Sequence, residues 1–348
     1  MIVYLSIFAV LVALAFIVDE KEKYPVLFLL WIFLIFFVGG RFETGCDFSG
    51  YLNRYINILY HHDKIFDVLI KTEAGFELIN LSMRLMGFTY VWLIFFCSVI
   101  IITCFVVFCG YFKGSLYTLA LLFPVMIIQL GMSGIRQAMA VGFLMIAAIP
   151  FVNGYRIWTG ISILVGAQFH ASAIIFLPMA LLAGRKIEPL KVVIAVLIFS
   201  PLILILIGDR IDTYQNRYVG NDELQSSGAL IRYGLILVPA AMYIYKEKYY
   251  REYFPGIAPL VYIYSIIGVF ILIFGIVNTV ALHRMIYYIM PFSILISIYI
   301  GLTYFKFKND IIPIILPFFM YGSYMIFWFN FSSHAERCYI PYSNFILS

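Results

Sequence analysis

The stretch LGMSGIRQAMAVGFL, Leu130 to Leu144, sets one arginine in a run that otherwise reads as membrane interior. An arginine at the centre of a bilayer helix costs about 3 kcal/mol on insertion scales, so intramembrane charges tend to be functional. Whether Arg136 sits in a bilayer depends on the rest of the chain. Its 348 residues are 64% hydrophobic and only 12% charged, against about 25% charged in a soluble domain. Mean hydropathy is +1.00, too high for the alternating strands of an outer-membrane barrel. The composition is that of an all-α, polytopic helical membrane protein forming a single membrane domain over 1–348.

Apolar runs of about 20 residues mark roughly twelve spans. They fall near 2–18, 25–40, 89–110, 116–131, 134–152, 157–169, 171–184, 190–207, 229–246, 257–276, 284–304 and 311–330. The first lacks a basic n-region and reads as a retained helix rather than a cleaved signal. With the N-terminus outside, the inside connectors are short and basic. They hold Lys21, Lys23, Lys113, Arg156, Arg185, Lys186, Lys246, Lys248, Arg251, Lys306 and Lys308, with Lys191 at a helix end on that side. Lys64 and Lys71 are the exceptions, in the longest loop, where the positive-inside rule has least force. The outside then carries a loop at 41–88 with an amphipathic segment, a second loop at 208–228, and a tail after Asn330. Cys46 and Cys338 share that outer side, which permits a disulfide. Cys97, Cys104 and Cys109 read as buried small hydrophobes. Scattered basic residues without a stripe give no nucleic-acid partner, and tight inside loops without a phosphate-binding G-x-x-x-x-G-K leave no nucleotide site.

Arg136 now has a place. Gly131-Met132-Ser133-Gly134 breaks the chain at the outer face, and Ser133 can cap a helix descending from Gly134. Unpaired N–H groups in the first turn favour phosphate, and a guanidinium adds a planar donor fork. Gly134, Ala138 and Gly142 leave a face that a neighbouring helix can approach closely. The plainer reading is an arginine snorkelling to headgroups. His170, in QFHASAIIFLP, reads either as a neutral histidine bonded between helices or as a general base or oxyanion donor. In ALHRMIYYIMP, His283 and Arg284 open a helix from outside, with Tyr287 and Tyr288 spaced to flank the guanidinium; an interfacial aromatic belt is the alternative. In GGRFETGCDFSGYLNRYIN, Arg41, Glu43, Asp47, Tyr51 and Arg54 crowd fourteen residues, as a site or as an ordinary polar loop. Asp209, Asp212 and Asp222 are too irregularly spaced for a cation site. Arg41, Arg136, His170 and Arg284 all fall on the outer face, which suggests an anionic, membrane-borne ligand such as a lipid diphosphate.

R-F-E-T-G-C-D-F-S-G-Y at 41–51, G-F-E-L-I-N at 75–80, G-I-R-Q-A-M-A at 134–140, F-H-A-S-A-I-I-F-L-P at 169–178 and Y-I-P-Y at 339–342 resemble, in order, the EpsG-like, Wzy-type bacterial polysaccharide polymerases. The resemblance spans nearly the whole chain. It implies a lipid-donor (GT-C-like) glycosyltransferase of the bacterial inner membrane, with its active site facing the periplasm. Such an enzyme joins oligosaccharide repeat units carried on undecaprenyl diphosphate into O-antigen, capsule or exopolysaccharide, without a cofactor or metal. A chain-length regulator and a flippase are the partners it implies. Arg136, Arg284 and Arg41 are then expected at the diphosphate. Asp47, His170 and Glu43 are expected as bases for the acceptor hydroxyl, and Tyr51, Arg54, Gln137 and Tyr287 against sugar. Three rivals differ in class. An O-antigen ligase usually has a larger outside domain than 208–228 provides. A flippase of lipid-linked sugars would show repeat halves. A polysaccharide acetyltransferase would need a polar inside pocket for its acyl donor.

Overall fold

In the computed structural model, described for residues 1–61, 73–184, 194, 227–272 and 279–346, helices dominate. They are α1 (Ile2–Ile17), α2 (Lys23–Gly39), α3 (Phe48–His61), α4 (Ala74–Leu85), α5 (Tyr90–Tyr111), α6 (Ser115–Leu122), α7 (Ile135–Val152), α8 (Arg156–Ala167) and α9 (Met179–Leu182). After the second gap follow α10 (Ser227–Tyr245), α11 (Glu247–Tyr253), α12 (Ala258–Phe270), α13 (Thr279–Lys308), α14 (Ile312–Phe331) and α15 (Ser333–Tyr339). Among the described residues, α5, α7, α14 and the Leu282–Lys308 part of α13 are long and apolar enough to cross a membrane, and seven shorter apolar helices accompany them. Large apolar side chains remain exposed on these helices, including Phe28, Leu29, Phe319 and Phe331. This is a helical membrane protein.

Two expected spans take other forms. The run 116–131 is not one α-helix: α6 passes into a fully buried π-helix, Phe123–Gly131. Pro124, at its start, has no N–H for a regular α ladder, and π segments concentrate at functional sites. The run 171–184 is a 3₁₀ turn, Ala171–Phe176, followed by the single turn of α9, with Pro178 between them. The expected span 190–207 except residue 194, the loop at 208–226 with its three aspartates, and Lys64, Lys71, Arg185, Lys186 and Lys191 lie outside the described residues.

The chain forms two compact units. One comprises Met1–Phe143, Val165–His170 and Phe318–Ser348; the other comprises Leu144–Leu164 and Ala171–Pro317. In the first, α2 packs on α5 and α1 on α6. At Gly142 of α7 helix α5 approaches closely, since a Cβ there would lie 2.9 Å from that of Cys104.

The end of α2 organises this unit. The last carbonyls of any helix lack intrahelical donors, and in an apolar surround an unmade hydrogen bond costs about 1–3 kcal/mol. Here the C-terminal tail supplies the donors. The Tyr342 hydroxyl donates to the Phe37 carbonyl (2.6 Å), the Asn344 amide to Phe36 (3.2 Å) and the Phe345 N–H to Gly40 (2.8 Å). A short antiparallel pair, β1 (Arg41–Phe42) with β2 (Ser343–Asn344), sets Arg41 opposite Asn344. Beyond it Cys46 and Cys338 are bonded across 292 residues, and the Gly45 N–H donates to the Cys338 carbonyl at 2.7 Å.

Cys97, Cys104 and Cys109 are free and buried, so thiol counting tests the pairing. The purified protein, unfolded in detergent, should take three maleimides without reductant and five after it. Five without reductant would mean that the tail is not covalently closed.

Candidate functional site

Arg41 comes first because it follows α2 directly. Its side chain is 1% exposed. The guanidinium donates to the carbonyls of Val38 and Met132 (3.1 Å for the latter) and to the Ser98 hydroxyl at 3.2 Å. Burial lowers the pKa of the group, against the hydroxyls of Tyr90, Tyr339 and Tyr342 around it. Of the three arginines expected at a diphosphate, the structure gives this one a fastening task.

That fastening joins the 41–47 loop to the break before α7. Gly45 has φ +106°, a conformation that favours glycine, and a Cβ there would run into the Met132 carbonyl. The Asp47 N–H donates to the Ser133 hydroxyl at 3.3 Å, so Ser133, expected as a helix cap, holds the loop. Two carboxylates of this loop, Glu43 and Asp47, are exposed. Glu43 has φ 50°. A left-handed backbone costs a non-glycine residue roughly 1–2 kcal/mol, a strain that proteins tend to retain at functional sites.

Arg136 stands in the first turn of α7, and its Nη1 donates to Glu73 at 2.8 Å. Glu73 is 5% exposed and precedes α4 with φ 64°. One turn on, Glu77 pairs with Arg54 of α3. Asn80, fully buried, continues the same face of α4 at the i, i+4, i+7 spacing. The rings of Tyr51 and Phe76 lie 5.5 Å apart, and the Arg136 guanidinium lies 6.0 Å from each. Burial raises the Tyr51 hydroxyl pKa, with Arg136 beside it pulling the other way.

Two arginines therefore meet two glutamates, and the site is not the run of uncompensated cations that the outer-face arginines suggest. A buried ion pair adds little net stability, because desolvation offsets the attraction. What Glu73 contributes is geometry: it fixes the guanidinium while 26% of the arginine side chain stays exposed. Glu73 and Glu77 escape the sequence reading, although their four-residue spacing beside a buried asparagine was there to be seen.

His170 and Gln137 belong to this same unit. The Gly75 N–H, at the start of α4, donates to the Gln168 carbonyl at 3.0 Å. Phe169 stacks on Phe143 of α7 at 5.4 Å. His170, half-buried, thus follows a segment tied both to the helix of Glu73 and to that of Arg136. Gln137 is buried at 8% exposure.

Arg284 and Tyr287 lie in the second unit. The two tyrosines expected to flank Arg284 have other partners as well. The Tyr287 hydroxyl accepts from Arg232 at 3.2 Å, and that of Tyr288 meets Ser172 at 2.9 Å. Arg232 also bonds His283 Nδ1 and lies over the Tyr287 ring at 5.6 Å. This arginine, 5% exposed in the second turn of α10, sits singly in an apolar run, so the sequence does not single it out. Among the described residues no three His, Cys, Asp or Glu side chains gather as a metal site requires.

The sequence model of the EpsG family matches residues 24–344. The chain belongs to the EpsG family. It is thus a membrane protein of the polysaccharide-polymerase type. No curated protein and no solved structure matches it.

The fastening role of Arg41 is directly testable. Arg41→Lys keeps the charge but cannot reach all three acceptors, each worth about 1–3 kcal/mol if left unpaired. The variant should melt several degrees lower in detergent than wild type. An unchanged melting temperature together with lost activity would place Arg41 at a ligand instead.

Proposed function

We propose that this EpsG-family protein polymerises oligosaccharide repeat units carried on undecaprenyl diphosphate, at the outer face of the bacterial inner membrane. The observation that carries the reading is the setting of Arg136. It is a partly exposed guanidinium in the first turn of a membrane-crossing helix, pinned by a buried carboxylate and grouped with exposed acids. The Cys46–Cys338 bond supports the sidedness, because disulfides persist in oxidising compartments outside the cytoplasm.

The acceptor is a sugar hydroxyl at the non-reducing end of one lipid-linked unit, and the donor is the growing chain on another. The hydroxyl oxygen attacks the anomeric carbon of the donor. The bond from that carbon to the diphosphate oxygen breaks, and undecaprenyl diphosphate leaves with the electron pair. Arg136 meets the charge that develops on the leaving oxygen, commonly the largest catalytic contribution. Arg284, next to the Arg232–His283–Tyr287 group of the second unit, remains the arginine that the resemblance assigns to a diphosphate there. Arg41 acts as a positioning residue. The acceptor proton passes to an acid–base group of the loop, Asp47 or Glu43, or to His170. Tyr51 and Phe76 offer ring faces for a pyranose, and Arg54 and Gln137 offer donors for its hydroxyls.

The test is genetic. The gene is deleted in its host and complemented with wild type or with Arg136→Lys, which keeps the charge facing Glu73 but loses the fork. Surface polysaccharide and lipid-linked intermediates are resolved on gels, with protein levels checked by blot. The deletion should leave single repeat units, and Arg136→Lys at normal level should make much less polymer than wild type. Long polymer left unattached to the lipid A core would mean a ligase, and units trapped inside would mean a flippase.

A further inference from the structure

The second unit carries a different charged feature, at the turn joining α10 to α11 and at the end of α13. Lys246, Lys306 and Lys308 are all exposed there. They gather on an aromatic platform. Lys246 donates to the Tyr304 hydroxyl at 3.0 Å, and the Lys308 ammonium lies 5.1 Å from the Tyr304 ring centroid. The Lys306 ammonium lies 5.2 Å from the Phe307 ring centroid. Phe307 in turn packs on Tyr253 of α11 at 3.8 Å. Lys248 and Arg251 add charge on α11, where Arg251 is neutralised by Glu247. Glu252 and Asp310 are the other acids of the turn, so a cationic excess remains.

Beside the lysines the helices close on a tightly packed apolar seam of Tyr243, Tyr250, Phe254, Val261, Tyr299 and Ile300. Phe305 and Tyr245 stand exposed nearby, Tyr245 at 85%, as aromatic residues do at a membrane–water boundary. Lysines among exposed aromatic side chains suit one occupant. The ammonium groups fit a phosphodiester and the exposed Tyr245, Phe305 and Phe307 fit hydrocarbon, and basic clusters beside membrane helices bind anionic lipid headgroups. A soluble anion would use the lysines and leave these aromatic side chains bare.

We propose that this turn is a binding site for an anionic phospholipid of the bilayer, with its phosphate on Lys246, Lys306 and Lys308 and its acyl chains against the exposed Tyr245, Phe305 and Phe307. The site is independent of the polymerase reading and needs only that these helices cross a bilayer.

The full-length protein, purified and delipidated, would be titrated with phosphatidylglycerol or phosphatidylcholine of the same acyl chains and followed by native mass spectrometry. One phosphatidylglycerol should bind per chain in clear preference to phosphatidylcholine. Each lysine near a membrane contributes about fivefold to such binding. Lys308→Gln, an exposed substitution that leaves the Lys246–Tyr304 bond intact, should therefore weaken phosphatidylglycerol about fivefold, and the triple glutamine variant far more. Lys21→Gln/Lys23→Gln, elsewhere on the chain, should leave the affinity unchanged. Equal binding of the two lipids, or equal losses from the control and from Lys308→Gln, would overturn the site. A lipid-free dimer in the same spectra would assign the face to a second copy and overturn it too.

Discussion

Three carbonyls at the end of α2, those of Phe37, Val38 and Gly40, find their donors outside the helix, and much of the first unit follows from how they find them. Arg41 takes Val38, Tyr342 and Phe345 take Phe37 and Gly40, and Asn344 adds a second bond to Phe36, which also accepts from the Gly40 N–H. The tail partners lie some 300 positions away, so the tail has to return to the start of the chain. The disulfide then closes what the hydrogen bonds bring together. With Arg41 also reaching Met132 and Ser98, the loop carrying Glu43 and Asp47 has one place to go. That place is against the break from which α7 and Arg136 begin.

The ion pairs on α4 set the character of the site. A bare arginine at this depth would bind any passing anion and would pay its desolvation alone. Glu73 offsets that cost and orients the fork, at the expense of a left-handed backbone. In the proposed reaction a diphosphate would meet a guanidinium already fixed in direction, and preorganised groups need no rearrangement as charge develops. The exposed acids Glu43 and Asp47 make no such pairing among the hydrogen bonds and salt bridges of the described residues, which suits the proton-accepting role proposed for them.

The sequence shows the architecture better than it shows the partners. Apolar runs locate α1, α2, α5, α7 and α14 nearly to the residue, because hydrophobic length is a local property. The π-helix and the 3₁₀ turn are less legible, since Pro124 and Pro178 change the hydrogen-bond pattern without changing hydropathy. Arg136 and the 41–47 loop stand out as polar groups in an apolar chain. Glu73 does not, because its partner is 63 residues away and a glutamate in a long polar loop looks ordinary. Arg41 is legible as a charge, but its burial depends on tail residues at the far end of the sequence. Arg232 is hidden in the opposite way, as one charge within a helix whose partners, His283 and Tyr287, lie about fifty residues on.

The account turns on Arg136 facing a ligand as well as Glu73, and exchanging the two charges separates those tasks. In the deletion host, Arg136→Glu, Glu73→Arg and the double exchange would be compared for membrane level and for polymer length. Each single variant leaves like charges together in a buried place and should fall in level. The double exchange should recover the level while making only single repeat units, because the fork then stands at the residue before α4 and not in the first turn of α7. Long polymer from the double exchange would contradict the account and reduce Arg136 to one half of a structural pair.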